Sequence, residues 1–341
     1  MTRGTEYNWA PGFEVAENDL ADQYERGLVG CLAEPEEDER LDEVIRDGGG
    51  DPNGGDVATS YGFHGMGDGE LILPYLHVTK AYPNCWPGKA QQVGDCTSQS
   101  TRSACLLSLV CEVASRTLDE ISGKLEQLPD PPPSQRAIGS TVMASESAYW
   151  WRGRSGHGWS SSAAARVILT KSGAVLRRDY PGHFDLSEYS GKMASRYGAD
   201  PPPASWTDIS DDHLFRTATR CSVDEMPAFL AKGFGISSDG SEGFARSVGA
   251  DLTARRSGSW AHALAIIGAD LRGREPLFLI QNSWGNYLKY ESGRKIPGTN
   301  YEIPRGSFFA RASDIRNRRN ICLSAANGWQ RNAIDLTPGF M

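Results

Sequence analysis

The spacing of apolar positions divides this chain into a helical part followed by a stranded part. Behind Cys96, the residues Ser103, Ala104, Leu107, Val110, Cys111 and Ala114 recur at i, i+3/4 and i+7, the stripe of a buried helix that begins at or near the cysteine. A second helix is predicted from Ser161 to Lys171, ended by Gly173. Further on the period shortens. "AHALAIIGAD" and "PLFLIQNSW" are apolar runs joined by "LRGRE", the pattern of neighbouring strands, and "GSFFARA" near residue 306 reads as another. Helices first and strands later describe an α+β chain, not an alternating βαβ one.

Residues 1–71 differ in kind. They hold "EPEEDERLDE", with seven carboxylates against one arginine, and then "DGGGDPNGGD" and "GFHGMGDGE". Alone, such a segment buries too little apolar surface to offset the entropy of ordering it, so it reads as an arm or a pro-like segment that something else must hold, its own domain or a larger assembly. The globular pattern starts at "LILPYLHVTK", and "PDPPPSQ" and "GADPPPASW" read as surface loops within it. The expected organisation is an extension over 1–71, a domain over 72–325 and a tail over 326–341. The domain would hold a helical lobe over about 90–200 and a β lobe over about 220–325.

Composition narrows the function classes. With 39% hydrophobic and 23% charged residues the chain reads as soluble and globular. A formal charge of −8 and a pI near 5.4 argue against nucleic acid as a partner. The four arginines of "RASDIRNRRN" read as an ordinary solvated face. The start shows no signal-peptide core, and the most apolar stretch, Ala104 to Ala114, is too short to span a bilayer. The expected location is cytoplasmic or virion-associated, with no membrane partner.

Seven cysteines stand at 31, 85, 96, 105, 111, 221 and 322, with no CxxC pair, so no metal site is expected. Cys31, Cys105, Cys111, Cys221 and Cys322 read as core thiols. A bridge between Cys85 and Cys96 stays open on spacing alone. Cys96 itself, in "QQVGDCTSQS", sits where a helix begins, and the positive end of the macrodipole there favours a thiolate. A nucleophile needs a base, and the base needs an orienting partner. Of six histidines only His262 opens an apolar strand run, and Asn282 in "QNSWG" stands at the end of the next. Two neighbouring strands place that amide beside the imidazole; otherwise His262 is a core histidine and Asn282 a turn residue.

Taken together, "QQVGDC", "WAHALAIIGAD" and "LIQNSWG" resemble the nucleophile turn, His strand and Asn-Ser-Trp-Gly signature of the papain-like cysteine peptidases, in that chain order. "GRSGHGWSSSAAARVILTKSGAVLRRDYP" is similar to the family's cleft wall and second helix, and "MPAFLAKGFGIS" to the lead into its specificity pocket. The resemblance covers about 72–325, and the short turn resembles divergent bacterial or phage members. It implies the two-lobed papain-like fold, with a nucleophile helix packed on an antiparallel barrel-like lobe.

It also implies a cysteine endopeptidase with no cofactor, acting on peptide or protein substrates. Cys96 would be the nucleophile, His262 its acid and base, Asn282 the orienting residue and Trp284 a shield over their bond. An oxyanion donor would come from Gln91, or from Gln92, because the family's usual glutamine position is here Ala90. Gly156 or Gly158 would line the substrate cleft, Ile236 and Ser237 would floor the pocket, and Trp260 would project into it or belong to the core. His262 follows Cys96 by 166 positions, longer than the roughly 130–150 usual in the family. A second reading stays open: a papain-fold structural component of a larger assembly, in a virion for example, held through the N-terminal extension.

Overall fold

The computed structural model describes residues 34–47, 70–82, 85–86, 89–120, 143–153, 158–211, 213–215, 217–290 and 293–324. In chain order, the elements that position the site are α1 (Pro35–Asp47), β1 (Leu71–Ile72), α2 (Cys96–Glu120), α3 (Ser161–Thr170), β2 (Thr217–Arg220), β3 (Gly235–Val248), β4 (Ala254–Asp270), β5 (Leu277–Gln281), β6 (Phe308–Arg311) and β7 (Arg319–Ser324). The class is α+β, as the order of periodicities predicts.

The helix α2 starts on Cys96 itself and is buried on every side from Cys96 to Cys111, because it runs between the other helices and the sheet. It approaches the sheet closely at Gly235, where a Cβ would stand 2.3 Å from the Ala104 carbonyl oxygen. A side chain there would push helix and strand apart. Ser108 fastens the same point, accepting from the Gly235 N–H at 2.8 Å and donating to the Leu323 carbonyl at 2.5 Å. The second helix, α3, ends where predicted: Lys171 caps it, and Gly173 turns the chain with φ +55°, its missing Cβ leaving room for the His213 carbonyl.

The strands form one antiparallel sheet in the order β6-β5-β4-β3-β7-β2, with β1 added to the far end of β4. Among the described residues this path stays open and does not close into a barrel. The predicted neighbours "AHALAIIGAD" and "PLFLIQ" are indeed paired, with Ala265 opposite Gln281 and Ile266 opposite Ile280. Carried forward, that register sets His262 across from the Asn282–Trp284 segment. On the other side of β4, His262 pairs with Gly240, and the ladder shifts register just beyond. A bulge at that point re-aims side chains beside the site.

Part of the extension is held by the domain itself, and one expectation needs correction. From Pro35 on, the acidic run "EPEEDERLDE" lies within α1, a helix docked on α3 and β2. Leu41, Val44 and Ile45 form its apolar face, and charged pairs add to it. Leu41 and Ile45 are buried, while Glu37 meets Arg166 at 2.8 Å, Asp42 meets Arg220 at 2.5 Å and Asp38 meets Arg319 at 3.2 Å. Residues 1–33 and 48–69 of the extension, Cys31 and the tail beyond 324 lie outside the described residues. The "RASDIRNRRN" stretch is not a uniform solvated face. Arg316 is exposed, but Arg318 is wholly buried beneath β3 and β4.

Cys85, Cys96, Cys105, Cys111, Cys221 and Cys322 are all buried free thiols, so no Cys85–Cys96 bridge forms. Burial pushes the Cys85 and Cys221 thiols up to about 12, which keeps them protonated and inert at neutral pH.

Candidate active site

The turn that delivers Cys96 is stitched into both lobes. From the sheet side, the Ser283 carbonyl accepts the Gln91 N–H at 2.9 Å and the Ser283 hydroxyl donates to the Gln91 side-chain carbonyl. On the helical side, the Gln92 N–H donates to the Tyr189 hydroxyl at 2.9 Å, and the Gly191 N–H donates to the Gln92 side chain at 2.6 Å. The Gly158 N–H donates to the Gly94 carbonyl at 3.0 Å, joining the turn to the wall predicted for the cleft. Thr97 Oγ1 adds a bond to the Trp159 carbonyl at 3.3 Å. Cys96 follows as the first helical residue, fully buried, at the positive end of the helix dipole.

His262 and Asn282 come together as their strands require. The imidazole Nε2 and the Asn282 side-chain carbonyl are 2.9 Å apart, and that carbonyl also accepts the Trp284 N–H at 3.3 Å. With Oδ1 as an acceptor, Nε2 carries the proton, which leaves Nδ1 as the basic nitrogen. Trp284 stacks on the imidazole at 4.3 Å between ring centroids, covering the hydrogen bond. Cys96 belongs to the same buried cluster as Trp260, Ala263 and Trp284. Burial drives the His262 pKa down to about 3, aided by the nearby Arg318 guanidinium and opposed by the bond to Asn282. In this closed arrangement the imidazole is neutral.

The other predicted residues take up varied positions. Gln91 is buried with its amide N–H on the Val93 carbonyl at 2.8 Å, whereas Gln92 faces away, onto Gly191. Gly158 lies beside the nucleophile turn, and Gly156 is outside the described residues. Ile236 sits inside the sheet core opposite Ile266. Ser237 shares a 2.6 Å hydrogen bond with Ser100 of α2, in the packing between helix and sheet. Trp260 is enclosed by Phe244, Trp284 and Tyr287 at 5.9, 4.8 and 5.6 Å between centroids, a core placement.

Three further residues shape the site without any local motif. Asp95, beside the cysteine, receives Tyr189 Oη and Gln99 Nε2 at 3.2 Å each. Burial, with the Glu146 charge nearby, raises its carboxyl to about 7. Tyr189 thereby ties the turn to the helical lobe. Arg318 donates to the His262 carbonyl at 2.5 Å and to the Ser238 and Glu242 carbonyls at 3.1 Å each, pinning β4 at the histidine. Arginine 56 positions away in sequence gives no signal of this; only the sheet order brings it there.

The arrangement offers a buried thiol, an oriented imidazole and a fixed amide. Among the described residues there is no group of three metal-ligating side chains, and no helix is long and apolar enough to cross a membrane.

No protein-family model matches the chain, and no curated protein matches its sequence. Solved structures are similar in fold only. Xylellain, a cysteine protease from Xylella fastidiosa, is 16% identical, with 70% of this chain and 83% of that one covered and a TM-score of 0.42. A procathepsin B from Trypanosoma congolense is 8% identical, covering 79% and 80%, with a TM-score of 0.43. A digestive procathepsin L from the Tenebrio molitor larval midgut is 11% identical, covering 90% and 87%, with a TM-score of 0.41. Similarity this loose assigns no role to any residue.

Proposed function

We propose that this protein is a papain-like cysteine peptidase with Cys96 as nucleophile, His262 as acid and base and Asn282 as the orienting residue. The observation that carries the reading is the 2.9 Å bond from His262 to Asn282 under Trp284, a residue that shares a buried cluster with Cys96. It fixes the ring so that Nδ1 is the nitrogen that takes part in proton transfer.

In the proposed cycle Nδ1 takes the Cys96 proton as sulfur attacks the scissile carbonyl carbon. The oxyanion is met by the Cys96 N–H and, once its amide turns from Val93, by Gln91. As the C–N bond breaks, His262 returns the proton to the leaving amine. Water, deprotonated by the same nitrogen, then cleaves the thioester and restores the thiol. A neutral imidazole is the correct starting base. The thiolate–imidazolium pair forms once the lobes part and the imidazole regains water, because burial is the main cause holding its pKa so low.

The closed site also supports a second reading, a papain-fold component of an assembly such as a phage virion, with α1 as part of its anchor. Its supporting observation is that Cys96 and His262 are both fully buried. Labelling the native protein with an epoxysuccinyl probe separates the two. Stoichiometric alkylation of Cys96, lost in Asn282→Ala, supports the peptidase. A Cys96 that resists the probe while remaining folded supports the structural role.

A further inference from the structure

The short run from Gly158 to Ser162 joins two parts of the molecule that are far apart in sequence. On one side it holds the nucleophile turn. The Gly158 N–H donates to the Gly94 carbonyl at 3.0 Å, Thr97 Oγ1 donates to the Trp159 carbonyl at 3.3 Å, and Trp159 Nε1 donates to Ser98 Oγ at 3.2 Å. Gly94, Thr97 and Ser98 all lie within two positions of Cys96. On the other side the run is held by the N-terminal extension. Glu34, the residue before α1, accepts the Ser160 N–H at 3.1 Å, and Asp38 in the first turn of α1 accepts the Ser162 hydroxyl. Asp38 also meets Arg319 at 3.2 Å. Arg319 in turn reaches the Asp239 carboxylate at 3.3 Å, and that carboxylate accepts the Ser161 N–H at 3.2 Å.

Ser160 is the N-cap of α3, its hydroxyl accepting the Ala163 N–H at 3.1 Å. The first N–H groups of a helix have no partners within it, and the dipole favours carboxylates there. Glu34 and Asp239 fill that need, one from the extension and one from the sheet. Trp159, Ser160, Ser161 and Ser162 are all buried, so a backbone N–H that loses its acceptor must shift to reach another. Ser160 cannot shift without Trp159 and Gly158, which carry the bonds to the Cys96 turn.

We propose that α1 and Glu34 form a positioning element of the candidate site: Glu34 and Asp38 hold the wall at Gly158–Ser162, and the wall holds the turn that presents Cys96. For its bearing on catalysis this rests on the function proposed above. Both carboxylates act through the wall, as positioning residues and not as catalytic ones. The helix differs in this from a pro-segment that is cut away on activation, because its loss takes the outer support of the nucleophile turn with it.

The test uses the full chain, with Glu34→Ala, Glu34→Gln and, as a control, Glu39→Ala at an exposed position of α1. Amide hydrogen exchange at Gly158 reads the coupling without any substrate. In Glu34→Ala it should quicken by about tenfold, the loss expected when a hydrogen bond to a charged group is removed. Glu34→Gln, whose side-chain carbonyl still accepts the Ser160 N–H, should keep most of the protection, and Glu39→Ala should match the parent. On a peptide substrate kcat should fall in the same order, at a temperature where every variant is folded, with KM changing less because the nucleophile is displaced. Ser162→Ala removes the Asp38 contact from the other side and should quicken Gly158 likewise, so the test stands even if Glu34→Ala does not fold. Unchanged exchange at Gly158 in a folded Glu34→Ala or Ser162→Ala overturns the proposal, and so does a fully active peptidase that begins beyond Asp47. A parent without turnover overturns the function proposed above instead, and exchange at Gly158 then still decides the coupling.

Discussion

Asp95 and His262 are both buried, and burial moves their pKa values in opposite directions, each toward the neutral form. His262, neutral in the fold down to about 3, contributes stability that is complete above its ordinary value of 6.5 and is lost as pH falls toward 3. Asp95, protonated in the fold up to about 7, contributes stability that is complete below 3.8 and is lost as pH rises through 7. Across the window between them the two slopes offset. Asp95→Asn keeps the shape and an acceptor for Tyr189 but removes one slope, so the variant should gain stability relative to the parent as pH rises from 4 to 8. Denaturant titrations at several pH values should show that difference growing by a few kcal/mol; a difference flat with pH excludes the buried, protonated carboxyl. At Asn282 the expectation is kinetic. Asn282→Ala leaves a buried imidazole N–H unpaired, at a cost of about 1–3 kcal/mol. It should also lower kcat on the order of 10²-fold with little change in KM, because the ring loses its orientation. Cys96→Ser should abolish turnover. Equal loss in kcat and in folded fraction would make Asn282 a turn residue.

Elements with a continuous apolar stripe were legible in the sequence, and those held by distant charges were not. The helix α2 and the strands β4, β5 and β6 announce themselves because Leu107, Val110, Ile266 and Phe308 are buried wherever the chain places them. In α1 only Leu41, Val44 and Ile45 are apolar within an acidic run, so its docking depends on Arg166, Arg220 and Arg319, more than 100 positions away. The same reason hid Arg318 and Tyr189, whose partners are assembled by topology. The Cys, His and Asn of the candidate site were legible because strand order and helix start are local. The reach of Gln91 was not, because it depends on Ser283 from the other lobe. For α1, Leu41→Ala should cost about 2–5 kcal/mol of docking energy and expose the helix to limited proteolysis while the body stays folded. Glu37 has burial against it, but its bonds to Arg166 and Arg40 win and hold its pKa below 4.5. That contact is therefore complete above 4.5 and weakens as pH falls below it, so cleavage before residue 71 should accelerate in acid.

Cys96 is fully buried, so under the proposed function a reagent reaches it only when its turn and the sheet part. Iodoacetamide at pH 6 should modify Cys96 ahead of the other buried thiols. Its rate should rise in Ser283→Ala, which removes one fastening between the lobes. Labelling of Cys105 or Cys111 at the same rate would mean global unfolding instead, since those thiols lie in the core of α2. The stitched turn has one more consequence. A loop bearing a nucleophile ordinarily trades its amide hydrogens with solvent quickly, but here the Gln91 N–H is held by the other lobe and the Gln92 N–H by Tyr189. In heavy water these two amides should behave as separate clocks. Gln91 should exchange each time the lobes part, and Gln92 only when the helical lobe itself loosens. The ratio of their rates then counts openings per unfolding event, with no probe attached to the protein.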